Sequence, residues 1–292
     1  MAPSKFNILS TKSVPHILEN IFHSLDYETY KTCLRVSTAW RELLASESYI
    51  KRAKSDFHYQ IVHDKEELWE AAMKGNIKKV WILSLFVDVN RVKRGYLQTT
   101  PLSVATEIAY YTSVDSSHIH IIQLLLERGA KPNIPNKDGD TPLHVSAKHD
   151  NRIVTQLLLE RGADPNRVNK WGDTPLHIAA ERGLPGLAQL LLNSRANPNK
   201  ANKIGNTSLH LAAQDGNKAV IKLLLERGAN PNSMKRFSLH TPLHDAARAG
   251  HKDVVQLFLN AGAEPNKLNY HGDTPLRLAQ RQGHMDIVSM LE

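Results

Sequence analysis

Residues 170–183 read Lys170-Trp171-Gly172-Asp173-Thr174-Pro175-Leu176-His177-Ile178-Ala179-Ala180-Glu181-Arg182-Gly183, and the fold follows from this stretch. Gly172 supplies the permissive backbone of a tight turn, and Thr174 is placed to cap a helix. Pro175 suits the first helical position, where an amide hydrogen has no partner within the helix. The expected helix runs to Glu181 and ends at Gly183. A second helix is expected over Leu187 to Asn193, where Ala188, Leu190, Leu191 and Leu192 form an apolar load too broad for one face in water. A helix pair of this kind must bury itself against neighbours.

The neighbours are in the sequence. Thr174-Pro175-Leu176-His177 is one of five related starts, with Thr141-Pro142-Leu143-His144, Thr207-Ser208-Leu209-His210, Thr241-Pro242-Leu243-His244 and Thr274-Pro275-Leu276-Arg277, at intervals of 33, 33, 34 and 33 residues. A repeat of that length stacks into a solenoid with one continuous core. Ala179-Ala180 recurs as Ala212-Ala213, Ala246-Ala247 and, in part, Ala279, so the first helices of successive units can approach closely. A later stretch, Leu158 to Asn166, recurs at Leu224 to Asn232 and more loosely at Leu259 to Asn266; its glycine ends the second helix and its Pro-Asn pair begins a turn. The signature histidines His144, His177, His210 and His244 read as structural, a neutral imidazole donating and accepting between adjacent loops. Their separation by whole repeats argues against a shared metal.

Two degenerate copies extend the array upstream. Thr100-Pro101-Leu102-Ser103-Val104-Ala105 starts one, but 41 residues separate Thr100 from Thr141, and Tyr110 to Ser117 is expected to lengthen the loop between its helices. Leu68 to Asn76 followed by Asp88-Val89-Asn90 forms an initial unit without the Thr-Pro-Leu-His start. Seven units result, over residues 66–292. In the last, Ile287, Val288, Met290 and Leu291 give an apolar load like that of an interior unit, which suits either a tolerated cap or a chain that once continued.

These units resemble ankyrin repeats, on the Thr-Pro-Leu-His starts and the Leu-Leu-Glu-Arg-Gly-Ala stretches above. The resemblance implies an all-α solenoid of about seven helix pairs with protruding turns, whose business is holding a protein. The positions that vary then become candidates for contact. In the turns these are Lys137-Asp138, Lys170-Trp171, Lys203-Ile204, Arg236-Phe237 with a one-residue expansion through His240, and Tyr270-His271. Aromatic and cationic side chains supply most of the energy at protein interfaces. At the ends of the first helices the variable set is Lys148-His149-Asp150, Glu181-Arg182, Gln214-Asp215, Arg248 and Gln280-Arg281, of mixed sign. The expected substrate contacts are Trp171, Arg182, Phe237, Arg248, Tyr270 and His271.

Residues 13–52 do not repeat. Ser13-Val14-Pro15 opens a helix carrying Ile17, Leu18, Ile21, Phe22 and Leu25; Tyr30, Cys33, Leu34 and Val36 mark a second, and Ala39, Trp40, Leu43 and Leu44 a third. Three short helices in about 40 residues cannot bury all of this internally. The pattern resembles an F-box, the adaptor-binding module of modular ubiquitin ligases, with valine in place of the more usual leucine before the proline and His16 at the helix start. That resemblance implies binding to a Skp1-type adaptor and a cullin ligase core through Pro15, Leu18, Ile21, Phe22, Leu25 and Val36, with Trp40 supporting the helices from within. Residues 1–12 read as a flexible start. Residues 53–65, with Phe57, Tyr59, Ile61 and Val62, read as a junction that docks the small unit on the first repeat.

Composition narrows the function. The chain has 292 residues, 41% of them hydrophobic, with no run of 18 apolar residues and no signal-like start, so it is expected in the cytoplasm, with the nucleus as a second location. The lone Cys33 excludes an internal disulfide and a thiolate zinc cluster. Thirty-seven Lys and Arg against 29 Asp and Glu give +8, of which +3 falls before Ser55, and the excess elsewhere is too diluted to mark a nucleic-acid face. No nucleophile elbow, phosphate-cradling loop or His-Glu-x-x-His helix is present, so a non-catalytic receptor without cofactor or metal is expected, monomeric before assembly. The leading reading is a substrate-recognition subunit of a ubiquitin ligase. The alternatives are a non-degradative scaffold and a pathogen effector mimicking a host F-box protein.

Overall fold

The computed structural model describes residues 68–84, 87–93, 98–111 and 117–292. The F-box-like residues Pro15, Leu18, Ile21, Phe22, Leu25, Cys33, Val36 and Trp40, and the junction over 53–65, lie outside them. Among the described residues the chain is built from helix pairs: α1 (Leu68–Met73) with α2 (Ile77–Leu83), α3 (Pro101–Tyr111) with α4 (Ser117–Glu127), α5 (Pro142–Lys148) with α6 (Arg152–Glu160), and α7 (Pro175–Glu181) with α8 (Pro185–Asn193). Then come α9 (Ser208–Gln214) with α10 (Lys218–Glu226), α11 (Pro242–Ala249) with α12 (Lys252–Asn260), and α13 (Pro275–Gln282) with α14 (Met285–Leu291). The first helices of successive units pack on one another in a row, and each second helix packs on its own partner and on the second helices beside it.

The sequence dictates this local structure. Thr174 holds an extended backbone and accepts a hydrogen bond from His177 N–H, and Pro175 follows at the first helical position. The second helix of that unit starts at Pro185, two residues earlier than the apolar pattern alone suggests. The alanine pairs are fully buried, and so are Leu176, Leu209 and Leu243 beside them and Leu158, Leu191, Leu224 and Phe258 on the second helices. Small side chains between the first helices and bulky ones between the second helices give the core its two textures. Burying each of these leucines contributes about 2 kcal/mol.

One sequence expectation changes. Tyr110 and Tyr111 belong to α3, which runs 11 residues against seven or eight in the first helices of the later units, and Ser117 already belongs to α4. Part of the eight-residue insertion is therefore helix, not loop, because Ile108 and Ala109 continue the apolar periodicity of Pro101–Ala105.

Two rows of side chains tie each unit to the next. His144, His177, His210 and His244 each accept at Nδ1 from the backbone N–H of their own capping threonine at 3.1–3.2 Å. At Nε2 the same rings meet the carbonyls of Asp173, Asn206, His240 and Asp273 in the following unit at 3.0–3.2 Å. Only a neutral ring protonated at Nε2 serves both ends. In the second row, Asn90, Asn133, Asn166, Asn199 and Asn232 each donate from Nδ2 to a carbonyl of the next unit at 2.9–3.1 Å. Each also accepts at Oδ1 from a backbone N–H two residues beyond that carbonyl at 2.7–2.9 Å. The carbonyl belongs to Gly129, Gly162, Arg195, Gly228 and Gly262 in turn, all with left-handed backbone.

Two predictions follow from these rows. Burial holds all four histidines below the ordinary imidazole value of 6.5, and His210 and His244 are pushed down to about 4. The folded rings stay neutral while unfolded ones protonate, so stability is intact above pH 6.5 and declines as pH falls from 6.5 through 4. Full protonation of either His210 or His244 costs on the order of 3 kcal/mol. Urea unfolding at a series of pH values should show the midpoint dropping across that window, and a flat profile would contradict the neutral-ring assignment. Arg195, with φ of 69°, is the one non-glycine in its row. Arg195→Gly should raise unfolding stability by about 1 kcal/mol.

Candidate functional site

The turns that precede α5, α7, α9 and α13 are each built around one asparagine. Asn169 Oδ1 accepts from the backbone of Trp171 and Asp173, both at 3.0 Å, which closes the turn, and Asn202 and Asn269 do the same for theirs. The Nδ2 of each reaches back to the preceding turn: Asn169 to Asp140 at 3.0 Å, Asn202 to Asp173 at 2.7 Å, and Asn269 to His240 Nε2 at 3.1 Å. Backbone bonds join neighbouring tips as well, from Lys170 N to Asp138 O, Lys203 N to Trp171 O and Tyr270 N to Ser238 O. Gly172 has φ of 85°, and a Cβ there would stand 2.7 Å from Lys203 N, so the close approach of tips requires glycine. With their bases fixed in this way, residues 170 and 171 and their counterparts have nowhere to point but solvent.

Trp171, Phe237 and Tyr270 are 54%, 66% and 71% exposed, so none of the three rings packs into the stack. Each has a polar neighbour: Lys148 Nζ lies 6.0 Å from the Trp171 ring, Arg236 lies 5.6 Å from Phe237, and His271 meets Tyr270 edge-on at 5.5 Å. Arg182, Arg248 and His271 are also exposed. All six expected substrate contacts therefore stand at the surface, Trp171, Phe237, Tyr270 and His271 on the tips, and Arg182 and Arg248 at the ends of first helices.

The tips and those helix ends form one surface. Lys148 pairs with Asp140 at 2.5 Å while leaning toward Trp171 of the next unit, and Arg281 pairs with Asp273 at the far end of the array. In the middle the pattern breaks, because Glu181 takes the place of Lys148 and Arg281 and faces Asp173. Partial burial, followed by the charges of Asp173 and Asp215, raises the Glu181 carboxyl above its ordinary range. The tips have the opposite character. The segments 167–171, 200–204, 233–239 and 267–271 contain seven Lys or Arg and no Asp or Glu. Cations more than 30 positions apart in the sequence are brought side by side by the stacking of the units.

The turn over 235–240 departs from the rest in three places at once. Lys235 stands where the others have asparagine, His240 where they have Asp140, Asp173, Asn206 or Asp273, and Asp245 where they have Val145, Ile178, Leu211 or Leu278. Asp245 is fully buried. Lys235 Nζ lies 2.7 Å and His240 Nδ1 3.4 Å from its two carboxylate oxygens, and Arg248 stands 3.7 Å away at the rim. Burial opposes ionisation of Asp245, but the His240 hydrogen bond and the Lys235 charge outweigh it and hold the carboxyl below its usual range. Sequence reading marked only the one-residue expansion; an acid at an otherwise apolar position of the repeat was the available signal. Because Lys235 turns inward, Asn206 Oδ1 loses the partner that asparagine gives Asp140 and Asp173 and is left buried and unpaired.

Comparison with known proteins agrees with this architecture. A family model described as ankyrin repeats (3 copies) matches residues 68–169 and 151–235, more than half of the chain, and a second, ankyrin repeats (many copies), matches 243–292. The chain belongs to the ankyrin-repeat family. A curated relative, a putative ankyrin repeat protein of Rickettsia felis (strain ATCC VR-1525 / URRWXCal2), is 61% identical over 31 residues, which is 11% of this chain and 14% of the relative. That span is shorter than one 33-residue ankyrin unit. The ankyrin repeats make the array a protein–protein interaction scaffold. Among the described residues there is no helix long and apolar enough to cross a membrane.

The buried cluster gives a direct test of how the turn over 235–240 is held. Lys235→Ala leaves the Asp245 carboxylate buried without its ammonium partner and should cost about 3–5 kcal/mol in urea unfolding. A loss within 0.5 kcal/mol, roughly that of an ordinary surface substitution, would show that Lys235 does not hold Asp245.

Proposed function

We propose that this protein is a substrate-recognition subunit of a ubiquitin ligase of the Skp1–cullin–F-box type. The reading rests on one juxtaposition: an F-box-like pattern at residues 13–52 directly before an array whose exposed tips carry Trp171, Phe237 and Tyr270. In this reading Pro15, Leu18, Ile21, Phe22, Leu25 and Val36 contact the adaptor. Trp171, Arg182, Phe237, Arg248, Tyr270 and His271 contact the substrate, and residues 53–65 fix the one relative to the other.

The protein's contribution is then proximity and not bond chemistry. A stiff stack presents a bound substrate at a set distance from the ubiquitin-charged enzyme, converting a bimolecular encounter into a local one. No side chain of the array is required to move a proton or attack a carbonyl.

Purified full-length chain should retain a Skp1-type adaptor in pull-down, and Pro15→Ala with Phe22→Ala should lower retention by about tenfold or more, as expected when two central apolar contacts are lost. Failure of the folded wild-type chain to retain the adaptor would sink the ligase reading. Full retention by the double variant would sink the assigned contact face.

A further inference from the structure

Eight of the 12 exposed large apolar side chains among the described residues lie in four consecutive turns, at positions 168–171, 204, 234–239 and 268–270. The same turns hold seven cations and no acid; Lys235 is drawn inward by Asp245, Lys200 Nζ donates to Asn166 O at 2.6 Å and Lys267 pairs with Glu264 at 3.2 Å, which leaves Arg167, Lys170, Lys203 and Arg236 exposed on the strip. An apolar and cationic strip with one tip per repeat is matched by a ligand that is apolar and acidic with the same spacing.

The spacing selects the ligand's conformation. First helices of successive units are in contact, which puts their axes about 8–10 Å apart. Neighbouring tips are also in contact, with Lys203 N bonded to Trp171 O. A β-strand rises about 3.3 Å per residue but turns its side chains to alternate faces, so its third residue points away. A polyproline-II helix advances about 3.1 Å per residue with three residues per turn, and returns the same face to the surface every 9 Å or so. Exposed aromatic rings such as Trp171, Phe237 and Tyr270 are the usual platform for that conformation.

We propose that the four turns from Arg167 to His271 bind an acidic polyproline-II segment of a partner protein, with an apolar side chain at every third residue seated between tips and carboxylates between them on Lys170, Lys203 and Arg236. This rests on the reading of the array as the substrate-binding part and names its substrate class. The aliphatic character of Val168, Ile204, Met234 and Leu268 favours a peptide over a nucleic acid. So does the line of carboxylates at Asp173, Glu181 and Asp215 beside the tips, where partial burial and then the two neighbouring charges raise Glu181, and where a polyphosphate charged at every residue would meet like charge.

The test is fluorescence anisotropy on the full chain with labelled 12-residue peptides, long enough at about 37 Å to cross four tips. The probes are Glu-Pro-Leu repeated four times, a scrambled peptide of the same composition, and the repeat with Lys for Glu, with polyuridylate as competitor. The periodic acidic peptide should bind at least about tenfold tighter than either peptide control, and Phe237→Ala or Trp171→Ala should weaken it about fivefold or more with helical content unchanged. Its affinity should fall with added salt. Equal binding of the scrambled peptide overturns the register, and equal binding of the Lys peptide overturns the charge match. Displacement by polyuridylate at matching concentration makes the strip a nucleic-acid surface and overturns the peptide assignment. Retention of full affinity by the Trp171 and Phe237 variants removes binding from the tips. Adaptor pull-down on the same preparation separates the two ideas: adaptor retained with no peptide bound overturns this inference alone, and peptide bound without adaptor overturns the ligase reading alone.

Discussion

The structure depends on an imidazole that stays neutral. Each signature histidine is buried at the first turn of its helix, takes the N–H of its own threonine at one nitrogen and gives a proton to the next unit at the other. Without the first contact the helix start is loose, and without the second the neighbouring turn has no fixed height. The bond that caps a helix is thus continued as the bond that stacks the units, so local and long-range order are set by one side chain. The alanine pairs permit the close approach, but they are non-directional and would tolerate sliding. Directionality comes from the histidine row and the asparagine row together, one on each side of the turns that carry the exposed rings.

How much of this was legible in the sequence differs from residue to residue. Thr174, Pro175, Gly183 and the alanine pairs announce themselves because each acts through its own backbone or size, which a sequence displays. The histidines were legible as structural for the same reason. Asn90, Asn133, Asn166, Asn199 and Asn232 were visible only as turn formers, since their partners are carbonyls about 30 residues away and a carbonyl has no residue type. The basic strip escaped notice because charges counted along a chain look diluted when the fold brings every thirty-third residue together. The F-box-like pattern at 13–52 remains a matter of sequence alone.

Lys235, His240 and Asp245 show the other kind of gap. Each looks like a fault against the repeat: a cation in place of a turn-closing amide, an imidazole in place of an acid, an acid in the core. Read singly they are unfavourable, and read together the ammonium and the imidazole stand against the buried carboxylate and offset its charge. The exchange accompanies a turn one residue longer than its neighbours, which carries Arg236 and the exposed Phe237.

The same exchange has a mechanical side. At every other joint from Asp138 onward an asparagine or a backbone bond ties tip to tip, but between the turns at 202–206 and 235–240 the asparagine is gone, Asn206 Oδ1 is unpaired, and among the described residues no backbone bond joins the tips. The histidine and asparagine rows still cross this joint, through His210 and Asn199. In a one-dimensional stack, cooperativity is only as long as its weakest coupling allows. Under tension applied through the two ends, the array is therefore a pair of blocks in series, and the joint ahead of Lys235 is where elastic extension concentrates.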